Sequence, residues 1–409
     1  MAAGKVRGRE PIIHFFQPSD DGDGAELIGQ VSHDPYAECV NELVCLDVPC
    51  GDAMVDRIKR AWDQGDAIFP LDQRLPQPER DKVLAAIRPT IMFTRAGDVR
   101  SAGTEIEPGD AVVVATSGTT GTPKGVVLTH DAVRGSALAT SHHLAVTSND
   151  TWFACLPPSH IGGLSVITRS LVTNTPLITA PQFSVEAYIN AAERGATLVS
   201  LVATALHRVD PGVYRHIILG GSRPPASVPP NCSVTYGLTE TGSGVVYNGR
   251  PLPGVELEIR DTVVHVRAPM LLRCYRDGTS PVDSQGWFRT GDIGTFVGGA
   301  LTVLGREGDL IITGGENVWP EHVEDVLRAH PHVADVCVAG VEDTEWGHVV
   351  TAWIVPLHPH AVSLEQIRTW VKETLPAHCA PRAIHMVDEI PRTALGKPRR
   401  AELIARASN

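Results

Sequence analysis

Residues 116–125 read Thr116-Ser117-Gly118-Thr119-Thr120-Gly121-Thr122-Pro123-Lys124-Gly125 and combine small hydroxyl side chains with three glycines and one lysine. Glycine lets backbone N–H groups converge on anionic oxygens, serine and threonine hydroxyls add donors, and a lysine supplies a point charge. The preceding run 111–115 is apolar and predicts a buried strand, and the chain is expected to turn helical near His130. The segment therefore predicts a polyphosphate-binding loop of an α/β fold.

The spacing within this loop differs from that of the P-loop NTPases. Their motif requires Gly-x4-Gly-Lys followed by Ser or Thr, whereas Lys124 here lies between Pro123 and Gly125. The alternative on composition alone is a flexible Gly/Thr linker. Motifs farther along the chain favour the phosphate loop and indicate ATP as its ligand.

Five downstream motifs carry a family resemblance. They are Tyr236-Gly237-Leu238-Thr239-Glu240-Thr241-Gly242, Gly286-Trp287-Phe288-Arg289-Thr290-Gly291-Asp292, Gly305-Arg306, Gly314-Gly315-Glu316-Asn317-Val318-Trp319-Pro320 and Pro391-Arg392-Thr393-Ala394-Leu395-Gly396-Lys397. Together with the loop they resemble, in order, the motifs of the adenylate-forming superfamily of acyl-CoA synthetases, luciferases and peptide-synthetase adenylation domains. The resemblance runs from about residue 111 to the end of the chain, and Pro70-Leu71-Asp72-Gln73-Arg74-Leu75-Pro76 is similar to an earlier segment of the family.

Composition limits the other classes of function. The 409 residues are 43% hydrophobic, enough for two or more domains, and carry a formal charge of −12, which argues against nucleic-acid or anionic-membrane partners. The eight cysteines include no CxxC pair, so neither a zinc site nor a disulfide framework is indicated. No apolar run approaches the roughly 20 residues of a membrane span, so no membrane insertion is expected. We therefore expect a cytoplasmic enzyme, and a homo-oligomer remains open.

The pattern of apolar runs predicts an α/β protein with two domains. Runs such as 197–202 and 215–219 predict parallel strands covered by helices, and short strands from Val255 to about Arg306 predict a small barrel-like subdomain. Residues 308–409 restart as a compact α+β unit. The predicted division is an ATP- and acid-binding domain over 1–307 and a small C-terminal domain over 308–409, which the resemblance implies is mobile about the junction near Gly308.

The resemblance implies roles for residues around the nucleotide. Glu240 would hold Mg²⁺, Asp292 and Arg306 would approach the ribose, and Lys397 would be the mobile catalytic lysine. The alternatives from the residues alone are a helix cap at Thr239-Glu240, a turn role for Asp292 and an ordinary exposed lysine at 397. The other residues expected at the ATP site are Thr116, Ser117, Gly118, Thr119, Thr120, Lys124, Gly220, Gly221, Ser222, Tyr236, Gly237 and Thr239.

The implied reaction has two steps, with coenzyme A as cosubstrate. A carboxylic acid is first adenylated by ATP, and a thiol then displaces AMP along a channel lined by Gly314, Gly315 and Glu316. The substrate side would include His160, as a catalytic residue, and Gly163. Arg169 lies on an otherwise apolar helical run, where a buried guanidinium is costly without an anionic partner. It would read a second carboxylate on the substrate, unless it reaches the surface or pairs with a structural acid.

The His160-x8-Arg169 spacing, the short N-terminal region and the 314–320 motif most resemble the o-succinylbenzoate–CoA ligases of menaquinone synthesis. Two residues depart from the pattern. Gly308 lies where the superfamily usually has an acidic or hydroxyl residue, and Ser159 lies where an aromatic residue commonly precedes the histidine. The alternatives are a ligase for another acid, a ligase that loads a carrier protein, or a non-catalytic nucleotide-binding relative.

Overall fold

A computed structural model of the chain describes residues 41–117, 123–221, 227–358, 362–392 and 398–407. Residues 41–409 form one compact unit. Within the described ranges, no helix combines the length and the apolar character needed to cross a membrane.

Two seven-stranded sheets form the larger part of the fold. The first contains β1 Leu43–Leu46, β2 Ala67–Pro70, β3 Ile91–Thr94, β4 Gly97–Arg100, β5 Asp110–Ser117 and β6 Pro123–Thr129, and is completed by Cys274–Tyr275. Its order is Cys274–Tyr275, β6, β5, β2, β1, β3, β4. The central strands β5, β2, β1 and β3 are parallel, and the strands at both edges are antiparallel.

The second sheet begins as a run of parallel strands. It contains β7 Trp152–Ala154, β8 Leu177–Thr179, β9 Leu198–Leu201, β10 His216–Leu219, β11 Cys232–Leu238, β12 Ser243–Tyr247 and β13 Arg250–Pro251. Strands β8, β7, β9, β10 and β11 are parallel neighbours, and β12 and β13 extend the sheet in antiparallel fashion. The turn between β11 and β12 carries Glu240.

Helices cover these sheets. The helices before residue 210 are α1 Asp52–Gln64, α2 Gln77–Ile87, α3 His130–His143, α4 Ile161–Thr173, α5 Val185–Glu193 and α6 Ala203–Leu206. The side chain of Thr129 accepts a hydrogen bond from the Ala132 backbone N–H and so caps α3 at its start. Helices α1, α3 and α4 share one hydrophobic core with both sheets, which locks the two sheets together.

Two smaller antiparallel-rich sheets follow. The first contains β14 Glu256–Arg260, β15 Val263–Arg267, β17 Phe288–Val297 and β18 Ala300–Arg306, with β16 being the Cys274–Tyr275 strand of the first large sheet. The last sheet contains β19 Ile311–Thr313, β20 Glu316–Val318, β21 Val333–Asp343, β22 Gly347–Pro356 and β23 Ala383–Met386, with α7 Pro320–Arg328, α8 Leu364–Lys372 and α9 Arg400–Ala407 beside it. This last sheet and its helices have a hydrophobic core of their own.

The α/β class is confirmed, and one local expectation is corrected. The helix does begin at His130, but a strand, β6, precedes it, so the phosphate loop joins two antiparallel strands rather than a strand and a helix. The reason is the run Val126-Val127-Leu128, which is buried and largely β-branched and therefore favours a strand. The small barrel-like subdomain predicted up to Arg306 corresponds to the four-stranded antiparallel sheet.

Candidate active site

The β5–β6 hairpin carries the two ends of the phosphate loop. Thr116 pairs with Lys124 across the hairpin, and its hydroxyl donates to the Lys124 carbonyl at 3.4 Å. The Lys124 ammonium lies 4.9 Å from the ring centre of Tyr275 on β16. Gly118, Thr119 and Thr120 lie outside the described residues, and of Ser117 only the backbone pairing with Pro123 is described.

A second group lies at the end of β11 and along β17. The Tyr236 hydroxyl donates to Asp292 Oδ2 at 2.9 Å, and Arg306 Nε lies 3.6 Å from Asp292 Oδ1. Asp292 and Arg306 are register partners in the β17–β18 hairpin, which explains why two distant motifs meet. Burial and the neighbouring Asp292 raise the pKa of Tyr236, so its phenol stays a hydrogen-bond donor. These three residues form one polar group, which brings Asp292 and Arg306, predicted at the ribose, next to Tyr236, predicted at the ATP site.

Glu240 lies in a 3₁₀ turn over Thr239–Thr241 between β11 and β12. Thr241, rather than the Thr239-Glu240 pair, makes the capping hydrogen bond to the Leu238 backbone N–H, at 2.8 Å. Glu240 Oε1 accepts a hydrogen bond from the Tyr275 hydroxyl at 3.1 Å. No cluster of three or more metal-ligating side chains occurs in the described part of the chain. A lone carboxylate fits Mg²⁺, which is usually bound by one or two carboxylates together with substrate phosphates.

The glycines predicted at the ATP site are glycine for different structural reasons. Gly221 has a φ of +87°, which other residues rarely adopt, and a Cβ on Gly220 would lie 3.0 Å from Thr235 Oγ1. A Cβ on Gly237 would lie 2.1 Å from the Ser243 carbonyl oxygen, so the β11–β12 pairing itself requires glycine there. Ser222 lies outside the described residues.

His160 lies at the start of α4, on the predicted substrate side. Its Nε2 lies 3.4 Å from Arg74 Nη2 and 3.7 Å from Asp72 Oδ2, and Arg74 forms an ion pair with Asp72. Burial alone raises the pKa of Asp72, but the hydrogen bonds from Arg74 outweigh it and hold that pKa below its usual value. Asp72 and Arg74 were missed as functional residues, although the segment 70–76 that contains them had drawn attention through its resemblance. A Cβ on Gly163 would lie 2.3 Å from the Pro157 carbonyl oxygen, so this glycine allows α4 to approach the preceding loop.

Arg169 is buried in the interior of the large sheets, 1% exposed. Its Nη2 donates to Ser243 Oγ at 2.5 Å, and its guanidinium lies 5.5 Å from the ring centre of Trp152. Its Nε and Nη1 are buried and have no hydrogen-bond partner among the described residues. Burial lowers its pKa, although a guanidinium remains charged under ordinary conditions. Within the described ranges the two predicted alternatives, a surface-reaching arginine and an ion pair with a structural acid, are therefore not observed.

The predicted coenzyme A loop lies between β19 and β20. Gly314 and Gly315 have φ values of +58° and +85°, and the Trp346 ring packs where a Cβ of Gly314 would be, 2.7 Å away. Glu316 begins β20, is exposed and pairs with Thr313. Lys397 lies outside the described residues, and Arg392 and Pro398 on either side of it are paired with each other. Arg392 forms an ion pair with Asp335 of β21, in the same sheet as the strands that flank the glycine loop.

The described contacts join the predicted residues into groups. Lys124 and Glu240 both contact Tyr275, while Tyr236, Asp292 and Arg306 contact one another. Arg169 meets Ser243, three residues after Glu240. Tyr275 and Ser243 were not predicted, because their roles depend on strand pairing and no local motif identifies them.

Comparison with known proteins gives consistent matches. The AMP-binding enzyme profile matches residues 98–269, and the profile of the AMP-binding enzyme C-terminal domain matches residues 322–397. A 2-succinylbenzoate–CoA ligase of Bacillus licheniformis is 34% identical over 415 residues, covering 86% of each chain. The solved structure of o-succinylbenzoate CoA synthetase from Bacillus subtilis with its acyl-adenylate intermediate has a TM-score of 0.78 at 29% identity, covering 88% of each chain. The same enzyme with ATP and magnesium ion has a TM-score of 0.77 at 29% identity and the same coverage.

Proposed function

We propose that this chain, which belongs to the AMP-binding family of adenylate-forming enzymes, joins 2-succinylbenzoate to coenzyme A in an ATP-dependent reaction of menaquinone synthesis. Its relative from Bacillus licheniformis, with 34% identity over most of both chains, is named for this reaction. The products are 2-succinylbenzoyl-CoA, AMP and pyrophosphate. The proposed setting is the cytoplasm, where ATP and coenzyme A are available and thiols remain reduced.

The first step joins two anions, so it needs positive charge and hydrogen-bond donors on both. A substrate carboxylate oxygen attacks the α-phosphorus of ATP, and the bond to the pyrophosphate oxygen breaks. Lys124 and the phosphate loop hold the β- and γ-phosphates, while Asp292 accepts hydrogen bonds from the ribose. Glu240 holds Mg²⁺, which supplies further charge neutralisation. Lys397 carries the charge that bridges the carboxylate and the α-phosphate.

In the second step the coenzyme A thiol attacks the acyl carbonyl carbon, and the bond to the AMP oxygen breaks. Gly314 and Gly315 leave their side of the channel without side chains, which suits the approach of a narrow thiol arm. Residues 1–307 and 308–409 form two domains in this proposal. The smaller one turns about Glu307–Asp309 between the two steps, because Lys397 and the glycine loop are both parts of it.

The observation that carries the choice of acid is the buried Arg169. A guanidinium with two unpartnered nitrogens in the described structure and one hydroxyl partner is incomplete without an anion. The second carboxylate of 2-succinylbenzoate has the charge and the planar shape that a guanidinium binds best. His160, which precedes α4, and Gly163, which lies on the same helix as Arg169, would border the acid.

Pyrophosphate release by the purified protein tests the proposal. The panel contains 2-succinylbenzoate, benzoate, 4-oxo-4-phenylbutanoate and a medium-chain fatty acid, each with ATP and Mg²⁺. We expect the highest kcat/KM with 2-succinylbenzoate, and coenzyme A should then convert the adenylate to the thioester. Release with another acid alone would leave the ligase chemistry and remove this substrate. No release with any acid would favour a non-catalytic relative.

A further inference from the structure

Tyr275 contacts two of the proposed ATP-site residues at once. Its hydroxyl donates to Glu240 Oε1 at 3.1 Å, and its ring centre lies 4.9 Å from the Lys124 ammonium. The first contact fixes the carboxylate that is proposed to hold Mg²⁺, and the second is a cation–π contact with the lysine of the phosphate loop. One side chain therefore touches two groups that have to act on the same triphosphate.

The strand that carries Tyr275 is held firmly on both sides. Arg273 binds Asp110 through Nε and Nη2, each at 2.8 Å. Arg276 donates from Nε to the Ile87 carbonyl at 3.0 Å and from Nη1 to the Glu105 carbonyl at 2.8 Å. A two-residue edge strand has little stability of its own, so these two arginines fix the position of the tyrosine between them.

The backbone around Tyr275 reaches the same two loops as its side chain. The Arg276 N–H donates to the Gly125 carbonyl at 2.7 Å, and Tyr275 is the register partner of Val126, so the strand pairs with the end of the phosphate loop. The Leu272 N–H donates to the Glu240 carbonyl at 2.8 Å. Segment 272–276 thus connects the first large sheet to the turn of the second that carries Glu240.

The state of the phenol suits a hydrogen-bond donor. A tyrosine phenol carries its proton at neutral pH and can therefore donate to the carboxylate. A protonated phenol can donate only one hydrogen bond, and here Glu240 receives it. The carboxylate is consequently held in one orientation before the nucleotide arrives.

We infer that Tyr275 is a positioning residue that holds the Glu240 carboxylate and the Lys124 ammonium in fixed positions relative to each other, so that Mg²⁺ and the lysine bind the same triphosphate. The inference rests on the proposed function, because it gives Glu240 and Lys124 a shared ligand. It adds a residue that touches neither the triphosphate nor Mg²⁺ and acts through Glu240 and Lys124, which do.

The test is ATP binding without any acid, measured by titration calorimetry with and without Mg²⁺. Tyr275→Phe keeps the ring under Lys124 and removes only the donor to Glu240. We expect it to raise the Mg²⁺ concentration for half-maximal ATP binding about three- to tenfold, the size of an ordinary net hydrogen bond, because the phenol only orients Glu240; Mg²⁺-free binding should be unchanged. Tyr275→Leu removes the ring as well and should also weaken Mg²⁺-free binding, by about two- to fivefold.

Two controls separate positioning from stability. Tyr214→Phe removes another buried phenol donor, to the Tyr188 carbonyl at 3.0 Å, outside this site, and should leave the Mg²⁺ dependence unchanged. Glu240→Gln and the double variant Glu240→Gln/Tyr275→Phe should share one Mg²⁺ dependence, because the phenol acts through Glu240.

An unchanged Mg²⁺ dependence in Tyr275→Phe would overturn the inference while the parent still binds Mg²⁺-ATP. If Tyr275→Phe weakened ATP binding equally with and without Mg²⁺ and also lowered the melting temperature, Tyr275 would be a structural residue and the inference would be overturned as well. A parent that fails to bind ATP would overturn the proposed function and, with it, the inference.

Discussion

A substitution at Arg169 can distinguish a role in substrate recognition from a structural role. In the proposed assignment, replacing Arg169 with alanine would remove a charge-assisted contact to the second carboxylate, and we expect a loss of about 2–5 kcal/mol in transition-state binding of 2-succinylbenzoate. With 4-oxo-4-phenylbutanoate, which lacks the ring carboxylate, the same change should have little effect. The measurement is kcat/KM for both acids on parent and variant.

Because Arg169 is buried, the variant is first checked for folding by its melting temperature and circular dichroism. Ser243→Ala serves as a matched variant, since it removes the hydroxyl that Arg169 contacts and keeps the charge. It should affect 2-succinylbenzoate less than Arg169→Ala does. Equal loss on both acids in Arg169→Ala would assign the arginine a structural role.

Motifs predict single residues best where the chemistry is local. Asp292 and Arg306 meet because they are register partners in the β17–β18 hairpin, a pairing that neighbouring strands make often, whereas Tyr236 reaches Asp292 from another sheet. Asp72, Arg74 and Tyr275 were missed because their contacts join segments far apart in the chain. Nothing in the sequence near Asp72 indicates that His160 will lie 3.7 Å from it.

The two adjacent glycines at the start of α4 test how an element positions the substrate side. A Cβ on Gly163 would lie 2.3 Å from the Pro157 carbonyl oxygen, whereas a Cβ on Gly162 would meet no atom within 4 Å. Gly163→Ala should therefore lower the unfolding free energy by about 1–3 kcal/mol and raise the KM for the acid by shifting the start of α4 and His160 with it.

Gly162→Ala is the matched control. It should be neutral or stabilise α4 by up to about 1 kcal/mol, because alanine is the better helix former. Chemical unfolding and acid KM are measured on both variants. If the two alanines behave alike, the close approach of α4 to the preceding loop is not what fixes its position.

Asp150 links the amino-terminal ends of parallel strands in the second sheet. It is 2% exposed, and it accepts hydrogen bonds from Arg215 Nε and Nη2 and from the Thr197 hydroxyl, at 2.7, 2.9 and 2.7 Å. Burial alone raises its pKa, but the bonds from Arg215, Thr147 and Thr197 outweigh burial and hold the pKa below its usual value. This stabilisation is present above the unfolded-state pKa of about 3.9 and is lost as pH falls through the lower folded-state value.

Asp150→Asn should lower the unfolding free energy at pH 7 by about 1.5–3 kcal/mol, as for lost hydrogen bonds to a charged group. The variant should also lose less stability than the parent as pH falls below about 4. Asp63→Asn, at an exposed position on α1, is the control and should follow the parent curve. The measurement is urea unfolding of the parent and both variants from neutral to acid pH. If the free energy of unfolding of Asp150→Asn changed with pH in parallel with that of the parent, the ion-pair account would be contradicted.

Strand and helix positions followed from the sequence more closely than their pairing did. The runs 197–202 and 215–219 are strands β9 and β10. The helical spacing of Val323, Val326 and Leu327 predicts one apolar face of α7, on which Val323 and Leu327 are buried and Val326 is partly buried. The β6 strand was overlooked because the glycine-rich loop before it and the helix after it dominate the pattern. Its partner β16 is only two residues long, too short for any periodicity to identify.

At the scale of the whole molecule, the proposed C-terminal domain would carry both groups that the two steps need. The Gly314–Glu316 loop lies in this part of the chain, Lys397 would belong to it, and the chain enters it through the 3₁₀ turn Glu307–Asp309. Arg400 holds the unit together near that turn, because it contacts Asp309 at 3.2 Å, Glu321 at 3.1 Å and Glu324 at 2.8 Å. If this part of the chain turned as one body, Lys397 would leave the acyl group as the Gly314–Glu316 loop approached it.

Substitutions at Gly308 test whether the C-terminal part of the chain has to rotate between the two steps. A Cβ there would meet no atom within 4 Å, so Gly308→Ala should be stable and nearly as active as the parent. Gly308→Pro fixes φ near −65° and should restrict the unit to one orientation.

The two half-reactions are then measured separately, as pyrophosphate release from ATP with acid, and as thioester formation from supplied acyl-adenylate with coenzyme A. We expect the proline variant to keep one of them and to lose at least about tenfold in the other, because each step needs its own orientation. Small-angle scattering of the unliganded protein should show a narrower range of dimensions for the proline variant than for the alanine variant. Parent rates in both half-reactions for Gly308→Pro would mean that the motion, if the reaction needs it, pivots elsewhere.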